Sequence, residues 1–356
     1  MSKISIINVT DLYFPPQDPG DNFDIVTAYL LPEIELKAII LDVTEKYRHQ
    51  RYYLDHDVHT KREAGIIAIH QMNYITDRNV PYGVSPYSKM KRKDDPMSDV
   101  PNYQQTGIEL LLQTLQDADE PIEILIFSSV KTVAAAFNRN KNLFYDKVKR
   151  IHISAGASSS DFLEWNVELD PLAMARLMES DLPIVIYPCA TDKGPFDCGQ
   201  YNSFWKLLNL NFIREMTPKL KRYLGFAFLS IDDGLQARYD FLRAMDEDFS
   251  EDEMRKVYAL THNVWETAVW IEVAKRKIIH REGSYKIIPE QEVLNSDEVI
   301  VTRLLPCKIK VNDTGLFGFE LTDQATNFNI FFRENPAAYE RALREALPLL
   351  YKSFTV

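Results

Sequence analysis

The chain lacks the residues and motifs that define several large protein classes. Only three of its 356 residues are cysteine (Cys189, Cys198 and Cys307), which gives neither a disulfide framework nor a C-x-x-C metal pair. It has no G-x-S-x-G, P-loop or G-x-G-x-x-G motif, so a serine hydrolase, a P-loop enzyme and a dinucleotide enzyme lose their main support. No apolar run approaches a membrane span and no secretory signal opens the chain. We therefore expect a reduced, cytoplasmic protein with no membrane partner.

Basic charge is also scarce. The chain carries 41 Lys and Arg against 52 Asp and Glu, a net charge of −11 with a pI near 5.2. That balance argues against nucleic acid as a partner. The one basic run, at 89–93, is followed at once by Asp94 and Asp95 and indicates a solvated loop. Hydrophobic residues at 46% and charged residues at 26% are ordinary for a soluble globular protein.

Apolar runs rich in β-branched residues alternate with longer helical stretches. This alternation predicts an α/β fold, with a mainly parallel open sheet covered by helices on both faces and a small antiparallel C-terminal hairpin. The predicted strands are 4–9, 35–42, 122–127, 148–154 and 182–187; the helices are 25–31, 62–72, 107–117, 133–138, 170–180 and 336–353; residues 205–280 read as mainly helical and 298–320 as the hairpin. No repeat or composition break occurs, so residues 1–356 are predicted to form a single domain. Its proline-rich loop 79–105 is a candidate lid.

The most informative stretch lies between the first strand and the first helix. Asp18, Asp21 and Asp24 place three carboxylates within seven residues, around a Pro19-Gly20 turn. Carboxylates this close repel one another unless a cation or a proton neutralises them, and hard oxygen ligands suit Ca²⁺ or Mg²⁺. The end of a first strand is also where open α/β sheets bind ligands. The alternative is a solvated acidic turn that caps the helix, with Asp21 near its N-cap.

Two further segments carry polar groups that chemistry could use. Glu164 and Asn166 flank Trp165 after a predicted strand and could hydrogen-bond sugar hydroxyls, or could cap the helix that begins near Pro171. Glu266 stands at the start of an apolar helix, where it is either a remote metal ligand or a first-turn glutamate favoured by the helix dipole. Loops that follow parallel strands converge on one edge of the sheet, so these segments are expected to meet.

Together these residues resemble the nucleoside hydrolase family, in its inosine-uridine preferring form. The family has a D-x-D-P-G-x-D-D loop, a P-E-I-E-L phrase, a G-P-L-T-N-L-A turn, an M-G-G segment, an E-F-N-x-x-x-D-P-E-A phrase and a late H-D or W-D pair. The matching segments here are 18–24, 32–36, 128–134, 154–156, 164–173 and 265–266. The similarity covers roughly residues 4–350.

The resemblance implies a Rossmann-like fold and a calcium-dependent hydrolase of the N-glycosidic bond of a ribonucleoside or a related glycoside. It implies that Asp18 is the general base for the attacking water and that side chains near it bind the ion. The implied metal ligands are Asp18, Asp21, Asp24, the Phe127 carbonyl and Glu266; the implied substrate-binding residues are Glu164, Asn166, Trp165 and Asp11. The expected partner is a small-molecule glycoside or nucleoside, and the family's oligomers leave a homo-oligomer open.

The chain also departs from the family pattern. Asn8 stands where the family has its first aspartate, and residues 9–17 then precede Asp18. Alternatively, Asp11 is the second aspartate and 12–17 is an insertion. Phe23 occupies a position that is usually Asp, for which Asp21 is a substitute. These changes leave two other functions open: a divergent, non-catalytic sugar- or nucleoside-binding protein, and a glycosidase for another sugar derivative.

Overall fold

A nine-stranded sheet organises the molecule, as seen in a computed structural model that describes residues 3–48, 62–230 and 243–356. The described strands are β1 (Ile4–Thr10), β2 (Tyr13–Phe14), β3 (Ile34–Leu41), β4 (Glu63–Ala64), β5 (Tyr82–Val84), β6 (Ile122–Phe127), β7 (Val148–Ser154), β8 (Ile184–Tyr187), β9 (Trp205–Leu207), β10 (His262–Val264), β11 (Arg276–Arg281), β12 (Ser284–Pro289), β13 (Glu298–Val299), β14 (Thr302–Val311), β15 (Phe317–Leu321) and β16 (Phe328–Arg333). The order across the main sheet is β15-β14-β16-β8-β7-β6-β1-β3-β5. All its pairs from β16 to β5 are parallel, and β14 pairs antiparallel with both β15 and β16.

Helices connect these strands. Those described are α1 (Asp21–Leu30), α2 (Glu45–Arg48), α3 (Ile66–Thr76), α4 (Thr106–Gln116), α5 (Lys131–Arg139), α6 (Lys141–Lys147), α7 (Trp165–Leu169), α8 (Pro171–Met178), α9 (Pro218–Leu229), α10 (Arg243–Asp246), α11 (Glu251–Tyr258), α12 (Thr267–Val273) and α13 (Pro336–Ser353). Short 3-10 turns occur at Asn102–Gln104, Asn211–Glu215 and Glu290–Glu292. Within the described ranges, no helix is both long and apolar enough to cross a bilayer.

The central strands are buried on both faces, as continuous β-branched runs predict. Successive residues point to opposite sides: Ile6 and Leu125 join a hydrophobic cluster that includes α1, α3 and α13, whereas Ile7 and Ile124 join a second that includes α4, α5 and α8. The predicted α/β fold, with helices on both faces, is therefore confirmed. Every strand of the parallel part ends at the same edge, which is where the candidate site lies.

Several predictions of local structure need correction. Residues 62–72 are not one helix: β4 comes first, and α3 begins only at Ile66, after Gly65. Within 205–280, β9, β10 and β11 stand beside the helices. Residues 231–242 of that stretch lie outside the described ranges. The C-terminal hairpin β14–β15 is present but joins the main sheet through β16, a strand that the sequence analysis did not identify.

The proline-rich segment 79–105 packs against the body of the protein along much of its length. β5 adds to the edge of the main sheet, and Met90 and Met97 are buried in the second cluster. Arg139 of α5 donates hydrogen bonds to the carbonyls of Pro96 and Met97. Whether the segment acts as a lid stays a prediction.

Candidate active site

A cavity of about 210 Å³ opens at the edge of the sheet where the parallel strands end. Asp11 directly follows β1, Phe127 is the last residue of β6, and Cys189 lies two residues after β8. The residues lining the cavity are Asp11, Gln17, Asp18, Asp21, Tyr47, Phe127, Glu164, Trp165, Asn166, Cys189, Pro195, Phe196, Trp265 and Glu266. All but one of the candidate site residues from the sequence lie here, and the remaining one, Asp24, lines a second cavity together with Gly20, His262 and Trp270. Chain segments distant in sequence thus meet in one pocket.

The stretch between β1 and α1 leaves the pocket and returns to it. After Asp11, β2 pairs antiparallel with β4, and Phe14 stacks on Phe226 with the ring centroids 5.8 Å apart. The chain then returns at Asp18, whose Oδ1 accepts a hydrogen bond from the Gly20 N–H at 2.8 Å. Both Asp11 and Asp18 therefore line the pocket, and the two alternatives for the general base remain open.

Glycine is required at position 20 because neighbouring side chains lie too close for a Cβ atom, and not because of its backbone angles. A Cβ at this position would lie 1.8 Å from Cε1 of His262 and 2.9 Å from Oδ1 of Asp18. The His262 ring also packs against Phe23, at 5.8 Å between centroids. Burial lowers the pKa of His262, and the nearby Asp18 opposes that shift. His262 thus packs directly beside the acidic turn.

Asp21 and Asp24 occupy the first turn of α1. Gly20 is the N-cap residue, so Asp21 stands next to the N-cap as the alternative expected, but no side chain caps the helix. Oδ2 of Asp21 is buried and has no hydrogen-bond partner in the described part of the chain. Oδ1 of Asp24 accepts a hydrogen bond from Nε1 of Trp270 at 2.6 Å. The helix dipole stabilises both negative charges, but Oδ2 of Asp21 still has no hydrogen-bond donor among the described residues.

Glu164 is held by the backbone on the wall of the pocket. Its carboxylate accepts hydrogen bonds from the N–H groups of Gly156 at 2.7 Å, Asn166 at 3.0 Å and Val167 at 3.4 Å. It therefore caps α7, whereas the helix at Pro171 has Asp170 as its cap. Burial raises the pKa of Glu164 to about 7 despite these bonds. Glu164 thus both caps α7 and lines the pocket.

Asn166 and Glu266 reach the pocket from two segments that are distant in sequence. The Asn166 side-chain amide donates to the Ser154 carbonyl at 3.0 Å, which leaves its own oxygen available. Glu266 precedes α12, and its Oε2 accepts from the Trp265 N–H at 3.0 Å. Burial raises the pKa of Glu266 to about 7, with a further contribution from Asp18.

The acidic side chains act on one another. Burial raises the pKa of Asp11, Asp21 and Asp24 well above the ordinary value, and neighbouring carboxylates raise it further. Glu266 contributes to each of these three shifts. None of these residues, nor Asp18 or Glu164, forms a salt bridge with any described residue. The pocket is a concentrated negative field that a cation or protons would relieve.

The donor set suits a hard divalent cation, because all its members are oxygen ligands. The buried, unpartnered Oδ2 of Asp21 points to the same conclusion. The side chains are not drawn together, however: among the described residues, no three His, Cys, Asp or Glu side chains are arranged to hold a metal ion. The chemistry of the residues therefore fits such an ion, while their present spacing is wider than a coordination shell.

Phe23, which differs from the family pattern, and its neighbour Asn22 are both engaged with the protein interior. Phe23 lies in an aromatic cluster with Phe212 and Tyr351. Oδ1 of the buried Asn22 accepts a hydrogen bond from the Tyr223 hydroxyl at 2.8 Å. The pocket also gains residues that sequence reasoning did not single out, namely Gln17, Tyr47, Cys189, Pro195 and Phe196. Only the position of Cys189 just after a predicted strand could have signalled any of them.

Comparisons with known proteins agree with this architecture. No family model matches the chain. The pyrimidine-specific ribonucleoside hydrolase RihA of Escherichia coli O1:K1 is 31% identical over 85 residues, 23% of this chain and 27% of that protein. RihA of E. coli O127:H6 gives the same figures. The match thus spans about a quarter of the length of these curated relatives.

Solved structures extend the likeness to the whole chain. An inosine-guanosine nucleoside hydrolase superimposes with a TM-score of 0.51 at 13% identity, covering 99% of this chain and 100% of that one. An inosine-uridine preferring nucleoside hydrolase from Bacillus anthracis covers 98% and 99%, with a TM-score of 0.45 and 13% identity. The chain therefore has the nucleoside hydrolase fold, and the expected resemblance to that family is confirmed.

Proposed function

We propose that this protein hydrolyses the N-glycosidic bond of a ribonucleoside or a related glycoside, with the help of a divalent cation that we expect to be calcium. The observation that carries the proposal is the pocket itself. In a chain of nucleoside hydrolase fold, it brings Asp11, Asp18, Asp21 and Glu266 together with Glu164, at the edge where open α/β sheets bind ligands.

The residues proposed to hold the ion are Asp18, Asp21, Asp24, Glu266 and the carbonyl of Phe127. When bound, such an ion supplies a water molecule of lowered pKa in a fixed position. Asp18 is the proposed general base that takes the proton from the attacking water. Asp11 is the alternative base, because it lines the same pocket from the end of β1.

Glu164 and Asn166 are proposed to hold the sugar hydroxyls. Their backbone hydrogen bonds fix both side chains before a ligand arrives, which lowers the entropy cost of binding. Cleavage of a glycosidic bond passes through an oxocarbenium-like sugar, and the surrounding carboxylates would stabilise its positive charge. Trp165 lies between the two polar residues in sequence and gives the ligand an apolar surface.

The proposal is tested by incubating the purified protein with p-nitrophenyl riboside and a panel of natural nucleosides, with calcium chloride and with EDTA. We expect release of base or p-nitrophenol in calcium, loss of release in EDTA, and no release from Asp18→Asn or Asp11→Asn, whichever residue is the base. Asp161→Asn is the matched control, since Asp161 is exposed and does not line the pocket. Equal release in EDTA and in calcium chloride would show that hydrolysis does not need a divalent cation.

One observation favours a second function, that of a non-catalytic sugar- or nucleoside-binding protein. Phe23 stands where the family usually has Asp, and its ring packs in an aromatic cluster instead. In that case calorimetry would detect binding of a nucleoside that the protein leaves uncleaved. Release from p-nitrophenyl riboside but from none of the nucleosides would instead indicate a glycosidase for another sugar derivative.

A further inference from the structure

We propose that the ribosyl ligand of this pocket carries a phosphate group, which Lys46 and Lys89 bind at the rim. This inference rests on the proposed function and narrows its substrate class. It comes from a pair of ammonium groups that two separate segments bring to one turn of helix beside the pocket mouth.

The two lysines meet at Glu168 of α7. Nζ of Lys46 lies 2.9 Å from Oε2 of Glu168, and Nζ of Lys89 donates to the Glu168 carbonyl at 2.7 Å. Lys46 belongs to α2, which follows β3, whereas Lys89 belongs to the proline-rich segment 79–105. Two positive charges thus converge on a single carboxylate-bearing residue.

Lys46 lies close to two aromatic residues that line the pocket. Its Nζ is 5.6 Å from the ring centroid of Trp165 and 5.9 Å from that of Tyr47, and both rings line the cavity. A ligand that extends from Asn166 past Trp165 towards solvent would therefore reach this ammonium group. The Lys46 side chain is 39% exposed, so an incoming anion has access to it.

Glu168 occupies the place that a ligand anion would take. Its side chain is 48% exposed, and exposed ion pairs of this kind contribute little to stability. Exchanging its carboxylate for a ligand phosphate is therefore cheap. A phosphate carries more charge and more acceptor oxygens than a carboxylate, and lysine binds it as a point charge.

The charge distribution explains why the anion would sit outside and the sugar inside. Asp11, Asp18 and Glu266 line the pocket and repel an anion, whereas Lys46 lies beside the lining residue Trp165 and Lys89 bonds to the same helix, α7. A ligand with a neutral polyol at one end and a phosphate at the other matches this gradient. A neutral nucleoside would leave Lys46 bound to Glu168.

The test compares binding of ribose 5-phosphate and ribose by calorimetry in millimolar calcium chloride. We expect the wild-type protein to bind ribose 5-phosphate at least about tenfold more tightly, and Lys46→Met to lower the ratio of the two association constants by about 10–100-fold, the range for one hydrogen bond to a charged group. Glu168→Gln removes the competing carboxylate and is expected to raise the ratio.

Lys93→Met is the control, because Lys93 is a similarly exposed lysine that pairs with Glu179 and Asp313 away from the pocket. It should leave the ratio unchanged. Equal binding of the two sugars, or a ratio that Lys46→Met leaves intact, would overturn this inference alone. If neither sugar binds, the ribosyl pocket itself fails, and the proposed function falls with it.

Discussion

Buried carboxyl groups lie at both ends of the central strands, and the two ends treat them differently. At the start of β6, burial opposes ionisation of Glu123, but hydrogen bonds from His152 at 2.9 Å and Lys149 at 2.7 Å lower its pKa to about 2. At the other end, burial raises the pKa of Glu164 and Glu266 to about 7, and no described residue pairs with them as a cation. The protein's own His152 and Lys149 stabilise the charge of Glu123, whereas Glu164 and Glu266 would need a bound cation or protons from solvent.

The same contrast appears close to the pocket. Asp42, which is fully buried and directly follows β3, accepts a hydrogen bond from the Ser129 hydroxyl at 2.5 Å and lies 3.2 Å from the ammonium group of Lys131. Uncompensated buried charge is costly, so a protein retains it where it has a use. We therefore infer that buried carboxylates paired with a cationic side chain are structural, and that those without a cationic partner form the candidate site.

The largest expected effect is on catalysis. Asp18→Asn should lower kcat by about 10²–10⁴-fold, because the attacking water loses its general base. The Glu123→Gln variant, altered at the other end of the strands, is expected to retain the wild-type kcat. Hydrolysis of the best nucleoside from the panel measures both. An Asp18→Asn protein with full turnover would transfer the role of base to Asp11.

A second comparison sharpens the difference between the two ends. Glu266→Gln should weaken calcium binding by more than about tenfold while changing the melting temperature little. Glu123→Gln should leave calcium affinity as it was and cost about 1–3 kcal/mol of stability, since His152 and Lys149 lose a charged partner. Calorimetry and thermal unfolding separate the outcomes. The assignment would be refuted if Glu123→Gln were the variant that lost calcium.

The two ends should also respond oppositely to pH. Glu164 and Glu266 have folded pKa values near 7 against an ordinary 4.5, so the unfolded chain releases these protons first and stability falls as the pH rises between these values. Glu123 has the opposite sign: its stabilisation is full above 4.5 and is lost as the pH falls towards 2.

Melting temperatures measured across this range without divalent ions check the signs. Glu164→Gln should flatten the decline between pH 4.5 and 7, and calcium should reduce it, because the ion favours the ionised carboxylates. A melting temperature that rises over this interval would contradict the raised pKa values.

The smallest effect concerns a residue behind the pocket. Trp270→Phe removes the N–H that donates to Asp24 and should weaken calcium binding by a few-fold, roughly the lower range for loss of a partner of a ligand. Trp205→Phe is the control, because the Trp205 indole donates to Thr267 instead. Equal calcium affinities of the two variants in a titration would contradict a role for the Trp270–Asp24 hydrogen bond in calcium binding.

Much of the fold could be predicted from the sequence, because strands buried on both faces form continuous apolar runs. β6, β7 and α13 have the predicted bounds. β16 was missed: it pairs in parallel with β8, a strand distant in sequence, and its alternation is weak. The start of α3 was misplaced because periodicity alone does not reveal that Glu63 and Ala64 pair with β2.

The site was predictable where motifs carry it and not elsewhere. The acidic turn and Glu164–Asn166 follow predicted strands, so their meeting at one edge could be expected. Phe196 comes from a loop and Tyr47 from the short helix α2, neither of which has a recognisable sequence pattern, and only the packed structure brings them to the pocket. The Asp42–Lys131 pair could not be predicted either, since it depends on β3 and β6 flanking β1 in the sheet.

The most direct test of the central claim is a crystal structure of the protein grown in millimolar calcium chloride. The account predicts an ion in the pocket, bound by carboxylate oxygens of Asp18 and Glu266 at about 2.3–2.6 Å. Full-occupancy calcium elsewhere in the crystal, with these two side chains apart and only water between them, would contradict it.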